Sequence, residues 1–315
     1  MVNDSIANLP LEREPQGLYA PIRYVLSLGG KRIRPVLMLM AYNLYREDVR
    51  PCLMPAIGLE TYHNFTLLHD DLMDRAEVRR GKACVHRKWD DNTAILSGDN
   101  MLVLAFQYMM QCDEGKLPAV MRIFARTAIE IDEGQQYDID FETRNDVTED
   151  EYIEMIRLKT SVLLACALQI GATLAGASEK DIQALYRFGE NLGLAFQLQD
   201  DYLDVYGDSK VFGKKIGGDI LCDKKTFMLI NALLHATDKD RFELQRWIGN
   251  RDCNPDEKIK AVTALYTKIG VDRMAQERMN TYYAKAEACL NEVALPEQRK
   301  QVLREIAKEL MGRQR

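Results

Sequence analysis

The chain has 315 residues, 47% of them apolar, a net charge of −6 and a pI of about 5.5. That apolar share is ample for one large core or two smaller ones. The acidic balance disfavours a nucleic-acid binder, which carries a basic excess, so any phosphate site has to be a local cluster of cations. Seven cysteines, at 52, 84, 112, 166, 222, 253 and 289, are scattered without a CxxC pair, which fits a reduced, cytoplasmic setting better than a disulfide framework or a zinc site. No basic stretch followed by an apolar one marks a signal peptide in MVNDSIANLPLERE.

Helical patterning dominates in chain order. The glycine pair of GGKRIRP, 29–35, permits a tight turn and brings Lys31, Arg32 and Arg34 together on one short stretch. RPVLMLMAYNLYRED follows with apolar residues at three- and four-residue spacing. After a loop expected near 47–53, the apolar FTLLH leads directly into LLHDDLMDRAEVRRG, 67–81, which sets Asp70, Asp71 and Asp74 just ahead of Arg79 and Arg80. A loop over 75–92 precedes two further helical runs, GDNMLVLAFQYMMQCDEG and AVMRIFARTAIEIDEGQQYDIDFETRND, with loops near 111–118 and 143–150. Thr148 with Glu151 forms a capping box, and Ser178 with Asp181 marks another helix start.

Lys159-Thr160 comes next, then SVLLACALQIGATLAGA, 161–177, which falls short of the ~20 residues of a membrane span and reads as a buried helix. FQLQDDYLDVYGD, 196–208, repeats the first acidic pattern with Asp200, Asp201 and Asp204. FGKKIGGDILCDKKT carries Lys214, Lys215, Lys224 and Lys225 within a loop expected over 207–226. Beyond a loop near 249–257, EKIKAVTALYTKIGVDRMAQERMNTYYAKAEACLNEVA is helical in pattern. Strand signals are poor, with no Asn-Gly or Asp-Gly between alternating runs. Nine prolines and no Ser/Gly-rich linker give no domain boundary. The expectation is one all-α domain over 1–315, a bundle of roughly a dozen helices.

The acidic repeats carry the chemistry. Helical positions i and i+4 share a face, so Asp70 and Asp74 project together, as do Asp200 and Asp204. If the two helices face each other in a bundle, four carboxylates enter one cavity. Hard oxygen ligands in that number suit Mg²⁺, which keeps several waters and shares its other positions with substrate phosphates. One DDxxD alone reads as a solvated helix face. Two copies, each at the end of an apolar segment, read as the lining of a cleft. The cations complete the picture: Arg offers phosphate a bidentate fork and Lys a point charge. One ligand class satisfies both sets, a polyphosphate carrying divalent metal. A di-iron bundle would need paired Glu-x-x-His motifs, and only Glu60/His63 has that spacing.

These residues resemble the trans-isoprenyl diphosphate synthases, or polyprenyl synthetases, which include farnesyl and geranylgeranyl diphosphate synthases. The resemblance runs from about residue 17 to 230, more weakly to the C-terminus. It rests on GGKRIRP, H-x5-HDDLMD, RRG, KT and FQLQDDYLD with its downstream GK and K-x-T, all in the family's order. It implies the isoprenoid synthase fold, helices around a deep central cavity. It implies that Asp70, Asp74 and Asp200, with Asp71, Asp201 and Asp204 in support, hold two or three Mg²⁺ ions against an allylic diphosphate. Arg79, Lys159, Lys214 and Lys224 would contact that diphosphate. Lys31, Arg34, His63 and Arg80 would hold isopentenyl diphosphate, and Thr160 and Gln197 would sit near the reacting carbons.

The implied reaction is head-to-tail condensation, with metal and cations stabilising the departing pyrophosphate. Thr160 and Gln197 dipoles and aromatic faces would steady the allylic cation. Phe65 lies five residues before Asp70, ~7.5 Å along a helix axis, with Thr66 next to it and Tyr62 a further turn down. In the family a bulky residue at position 65 goes with short products, so Phe65 is the expected floor for a C15 to C20 chain. After Arg79-Arg80-Gly81 the family usually has x-Pro-Thr-x-His, where this chain has Lys82-Ala83-Cys84-Val85-His86. His69 is either a supporting partner of the aspartates or a packing residue. A homodimer, the family's common state, is expected, with no stable membrane anchor. The competing readings are a cyclase or head-to-head enzyme, which commonly lacks a GGKRIRP-type site, and an inactive subunit, which normally shows eroded aspartates.

Overall fold

Helix follows helix along the chain in the computed structural model, which describes residues 1–207, 216–250 and 252–312. In order these are α1 Val2–Ala7, α2 Gln16–Ser27, α3 Ile33–Asn43, α4 Leu53–Met73, α5 Val85–Lys88, α6 Asp91–Met109, α7 Leu117–Thr143, α8 Glu149–Ile156, α9 Val162–Ala175, α10 Glu179–Tyr206, α11 Gly218–Cys222, α12 Phe227–His235, α13 Asp238–Trp247, α14 Pro255–Ile269, α15 Val271–Glu292 and α16 Glu297–Met311. The all-α expectation holds.

The caps follow the local chemistry. Thr148 and Glu151 make the reciprocal capping box at α8, and Ser178 Oγ accepts from the Asp181 N–H at the start of α10. The helical pattern across 257–294 proves to be two helices, because Gly270 takes φ 88° between α14 and α15 and bonds back to Tyr266 and Thr267.

The short helices α5 and α11 lie inside the loops expected over 75–92 and 207–226, and two further features depart from the expected pattern. A miniature antiparallel hairpin, β1 Val78–Arg79 with β2 Lys82–Ala83, interrupts the loop after α4. Its turn residues Arg80 and Gly81 both have positive φ, 52° and 75°, as a type I′ turn requires. Arg-Gly lacks the Asn or Asp that announces such turns, so the pattern concealed it. The second departure is a π-helical turn, Arg157–Ser161, between α8 and α9.

Backbone contacts group the chain into two compact units, Met1–Ala125 with Ala167–Ile182, and Arg126–Cys166 with Gln183–Arg315. In the first, Ile22, Ile57, Met101 and Leu104 are buried in a core shared by α2, α4 and α6. In the second, Phe141, Tyr152, Leu198, Phe227, Leu244 and Val271 are buried in a core to which α7, α8, α10 and α12 to α15 contribute. Each such side chain contributes ~1.5–3 kcal/mol when fully buried. Among the described residues one stretch, Glu149–Ala175, is long and apolar enough to cross a membrane, and 83% of its apolar 18-residue window is buried inside the protein.

Candidate active site

In the first unit GGKRIRP and RRG interlock. Gly30 sits at φ 128°, and a Cβ there would lie 2.8 Å from the Arg80 guanidinium carbon. A side chain there would displace the guanidinium, and the positive φ itself favours glycine; the Arg80 Nη1 donates to the Gly29 carbonyl. Arg32 is turned inward. It is buried, bonds Glu60 at 2.6 Å and the Leu26 carbonyl at 2.6 Å, and holds the left-handed turn that opens α3. It anchors the loop, while Lys31 is exposed.

Arg34 Nη1 lies 3.1 Å from His63 Nε2. A guanidinium only donates, so Nε2 accepts and the ring proton belongs on Nδ1. Burial, and then the charges of Arg34, Arg80, Arg79 and Arg32, hold this imidazole well below its usual range. His63 is therefore a neutral member of a cationic cluster. With Nε2 taken, Nδ1–H is the donor the ring has left to offer an anion.

The first acidic motif ends α4. Asp74 is the C-cap, with its N–H still bonded to the Asp70 carbonyl at 2.9 Å, so helical spacing persists through the motif. Asp71 is buried and is gripped by Arg79 at 2.6–2.8 Å, while Asp70 stands 3.7 Å from the same guanidinium. Asp71 thus orients Arg79. In place of the family's Pro-Thr, Ala83 completes the hairpin and Cys84 begins α5, with its N–H on the Glu77 carbonyl. His69 packs: its Nε2 meets the Ile95 carbonyl at 3.2 Å, and Gly98 of α6 leaves the space for its ring.

The proposed floor residues belong to an aromatic row. Phe65 stacks edge-on with His69 at 4.8 Å between centroids and tilts against Tyr62 at 5.5 Å, and Tyr62 meets Phe124 at 5.2 Å. The Thr66 hydroxyl donates to the His63 carbonyl at 2.8 Å.

In the second unit the π turn presents Lys159 and Thr160. Two glycines seat it. A Cβ on Gly134 of α7 would overlap the Lys159 backbone N and lie 2.8 Å from the Leu158 carbonyl carbon. A Cβ on Gly193 of α10 would lie 2.6 Å from Ser161 Cα. Lys159 Nζ bonds Asp138 at 2.6 Å, and Lys224 Nζ reaches the same carboxylate oxygen at 3.5 Å. Burial opposes the charge on Asp138, but Lys224 and Lys159 prevail and hold its carboxyl below the ordinary range. Lys214 and Lys215 lie outside the described residues. Lys225 is half-buried.

From Thr160 a chain of hydrogen bonds leads to the second acidic motif. Thr160 Oγ1 donates to Gln197 Oε1 at 3.1 Å, and Gln197 Nε2 donates to Asp201 Oδ1 at 3.1 Å. Tyr152 donates its hydroxyl to Asp201 Oδ2, and the Phe227 N–H approaches the same oxygen at 3.4 Å. Burial, and then the Asp219 charge, push Asp201 up to about 7. Asp201 is accordingly an internal strut. Asp200 and Asp204, which flank Asp201 in sequence, are half-buried, and Asp204 Oδ2 accepts the Asp219 N–H at 3.0 Å.

The carboxylates fit magnesium by chemistry: the donors are hard oxygens in i, i+4 pairs. Among the described residues, no three His, Cys, Asp or Glu groups cluster tightly enough to hold a metal by themselves. Mg²⁺ commonly makes up such a shell with water and substrate phosphate.

Sequence reasoning passed over Asp138 and Tyr152. Their partners are distant in the chain, and neither has a motif of its own. The one available signal was Gly134, a glycine inside a helical pattern, which calls for a packing reason.

A model of the polyprenyl synthetase family matches residues 15–266. A geranylgeranyl pyrophosphate synthase of Geoglobus acetivorans is 40% identical over 289 residues, 91% of this chain and 88% of its own. A crystal structure of a geranylgeranyl pyrophosphate synthase superimposes with a TM-score of 0.93 at 43% identity, covering 99% of this chain and 96% of that one. Another, from Corynebacterium glutamicum and complexed with isoprenyl diphosphate and magnesium, has a TM-score of 0.89 at 26% identity, over 99% and 97% of the two chains. The chain belongs to the polyprenyl synthetase family. Within it, the chain is a trans-isoprenyl diphosphate synthase of the short-chain type.

Proposed function

We propose that this enzyme condenses isopentenyl diphosphate head-to-tail with an allylic diphosphate of five, ten or fifteen carbons, yielding a C15 to C20 product and pyrophosphate. The interlocked cluster of Arg34, neutral His63 and Arg80 carries this reading. A cyclase has no use for a second diphosphate site. An inactive subunit has no reason to keep all six aspartates.

Arg79, Lys159, Lys214 and Lys224 hold the allylic diphosphate. Lys31, Arg34, His63 and Arg80 hold isopentenyl diphosphate. Asp70, Asp74 and Asp200 carry two or three Mg²⁺ ions, with Asp71, Asp201 and Asp204 in support. Magnesium, when bound, supplies the positive charge that stabilises pyrophosphate as the allylic C–O bond breaks. Thr160 and Gln197 direct their dipoles at the allylic cation. The double bond of isopentenyl diphosphate attacks that cation, and the departing pyrophosphate takes the proton that is lost. The test is turnover of isopentenyl diphosphate with each primer in turn, products resolved by length. Elongation ending at C15 or C20 supports the proposal. No turnover by folded protein sinks it.

Phe65 sets the product length in this reading. Phe65→Ala is expected to lengthen the main product by at least one five-carbon unit, read by chromatography. An unchanged product would remove Phe65 from that role. We also propose a single working domain, a cytoplasmic setting and a homodimer. Leu96 and Val103 of α6 and its C-cap Met110 recur at seven-residue spacing and are exposed, a stripe suited to a second copy. Val103→Glu should then shift sedimentation from dimer to monomer. A monomeric parent protein would refute the dimer outright.

A further inference from the structure

Lys258 of α14 is 2% exposed and has no role in the site described so far. It bonds Asp223 Oδ1 at 2.7 Å, while the second oxygen of Asp223 accepts the Gly249 N–H at 2.9 Å. Asp223 is the C-cap of α11 and has φ 54° and ψ 35°, the left-handed region that residues with a Cβ seldom adopt and Asp adopts more readily than most. Burying a lysine here brings a desolvation cost that an apolar residue would avoid, and a buried pair is poor grounds for stability alone. What the pair does supply is direction. Both carboxylate oxygens are fixed, so the side chain cannot rotate and the backbone turn cannot relax.

The next residue is Lys224. Its N–H bonds the Asp219 carbonyl at 2.9 Å and its carbonyl accepts the Thr226 N–H at 2.8 Å. Its ammonium reaches Asp138 beside Lys159. The same segment is pinned at its start, where the Gly217 N–H bonds the Asp204 carbonyl at 2.7 Å and Ile259, the neighbour of Lys258, packs over Gly217. Asp223 is thus the last fixed point before the substrate lysine.

We propose that Lys258 is a positioning residue for the diphosphate site: through Asp223 it locks the left-handed turn that aims Lys224 beside Lys159. The inference rests on the assignment of Lys224 to the allylic diphosphate. It is tested with three variants of the full-length enzyme, by steady-state kinetics alongside thermal unfolding. Lys258→Met should raise KM for the allylic substrate about tenfold, the worth of one charge-assisted contact, and leave KM for isopentenyl diphosphate within about twofold. Asp223→Gly combined with Lys258→Met should recover most of the loss, because glycine takes the turn without a tether. That double variant also carries the test if Lys258→Met does not fold. Lys224→Ala separates the two layers of the argument. If it raises the allylic KM but Lys258→Met lowers only the melting temperature, the pair is merely structural and the proposal falls. If Lys224→Ala leaves the allylic KM unchanged, the assignment beneath the proposal is wrong and both fall together.

Discussion

Gly134→Ala is expected to cut turnover by about a hundredfold, the order of loss that a misplacement of about 1 Å brings at a reacting centre. The added methyl overlaps the Lys159 backbone N and crowds the Leu158 carbonyl carbon at 2.8 Å, and backbone cannot swing aside as a flexible side-chain tip can. Alanine is the better helix former by ~1 kcal/mol, so in an open helix the change would stabilise. Here overpacking of ~1–3 kcal/mol opposes that gain. The π turn has to move, and Lys159 and Thr160 move with it. Single-turnover rates on folded protein are the measurement. A turnover number equal to the parent's would show that the turn tolerates displacement. Gly193→Ala, on the opposite contact with Ser161, should behave in the same way.

The second large effect separates the aspartates. If the proposed assignment holds, Asp70→Asn and Asp200→Asn should each lower kcat by about a thousandfold, since each would remove a charge that helps hold the cation at the leaving group. Asp201→Asn should cost far less, on the order of tenfold, because its carboxyl is pushed up to about 7 and serves Tyr152, Gln197 and the Phe227 N–H. Raising the magnesium concentration should restore part of the loss in Asp70→Asn and none in Asp201→Asn. Equal losses at all three positions, or equal recovery, would erase the distinction between metal-facing and strut carboxylates.

The motifs were legible because their physics is local. Two carboxylates four residues apart share a helix face whatever surrounds them, and Thr148 caps α8 through its own neighbours. The division of labour within the motifs was not legible. Asp71 and Asp70 look equivalent in sequence, yet one is buried under Arg79 and the other stands 3.7 Å from it. Arg32 and Arg34 look equivalent too, yet Arg32 turns to Glu60 and Arg34 to His63. Tertiary packing makes those choices, and no local pattern carries them. The π turn was hidden for a similar reason: the apolar spacing of 161–177 reads smoothly, and only the glycines on the neighbouring helices show that something wide has to fit.

That turn has a consequence for how the chain tolerates change. A π turn holds one residue more than the α-helical turn it replaces. That surplus is taken up inside the turn, so Leu163 and Leu164 beyond it stay buried. Excising a single residue from 157–161 would close the turn to α geometry and keep that phase, and the loss would fall on the presentation of Lys159 and Thr160. Excising one from the regular helix beyond it would instead rotate everything downstream by about 100°, the angular step of one residue at 3.6 per turn. The turn is therefore a point of slack in the chain: a change in length there should spare the core and cost the site, whereas a change in length along α9 should cost the core.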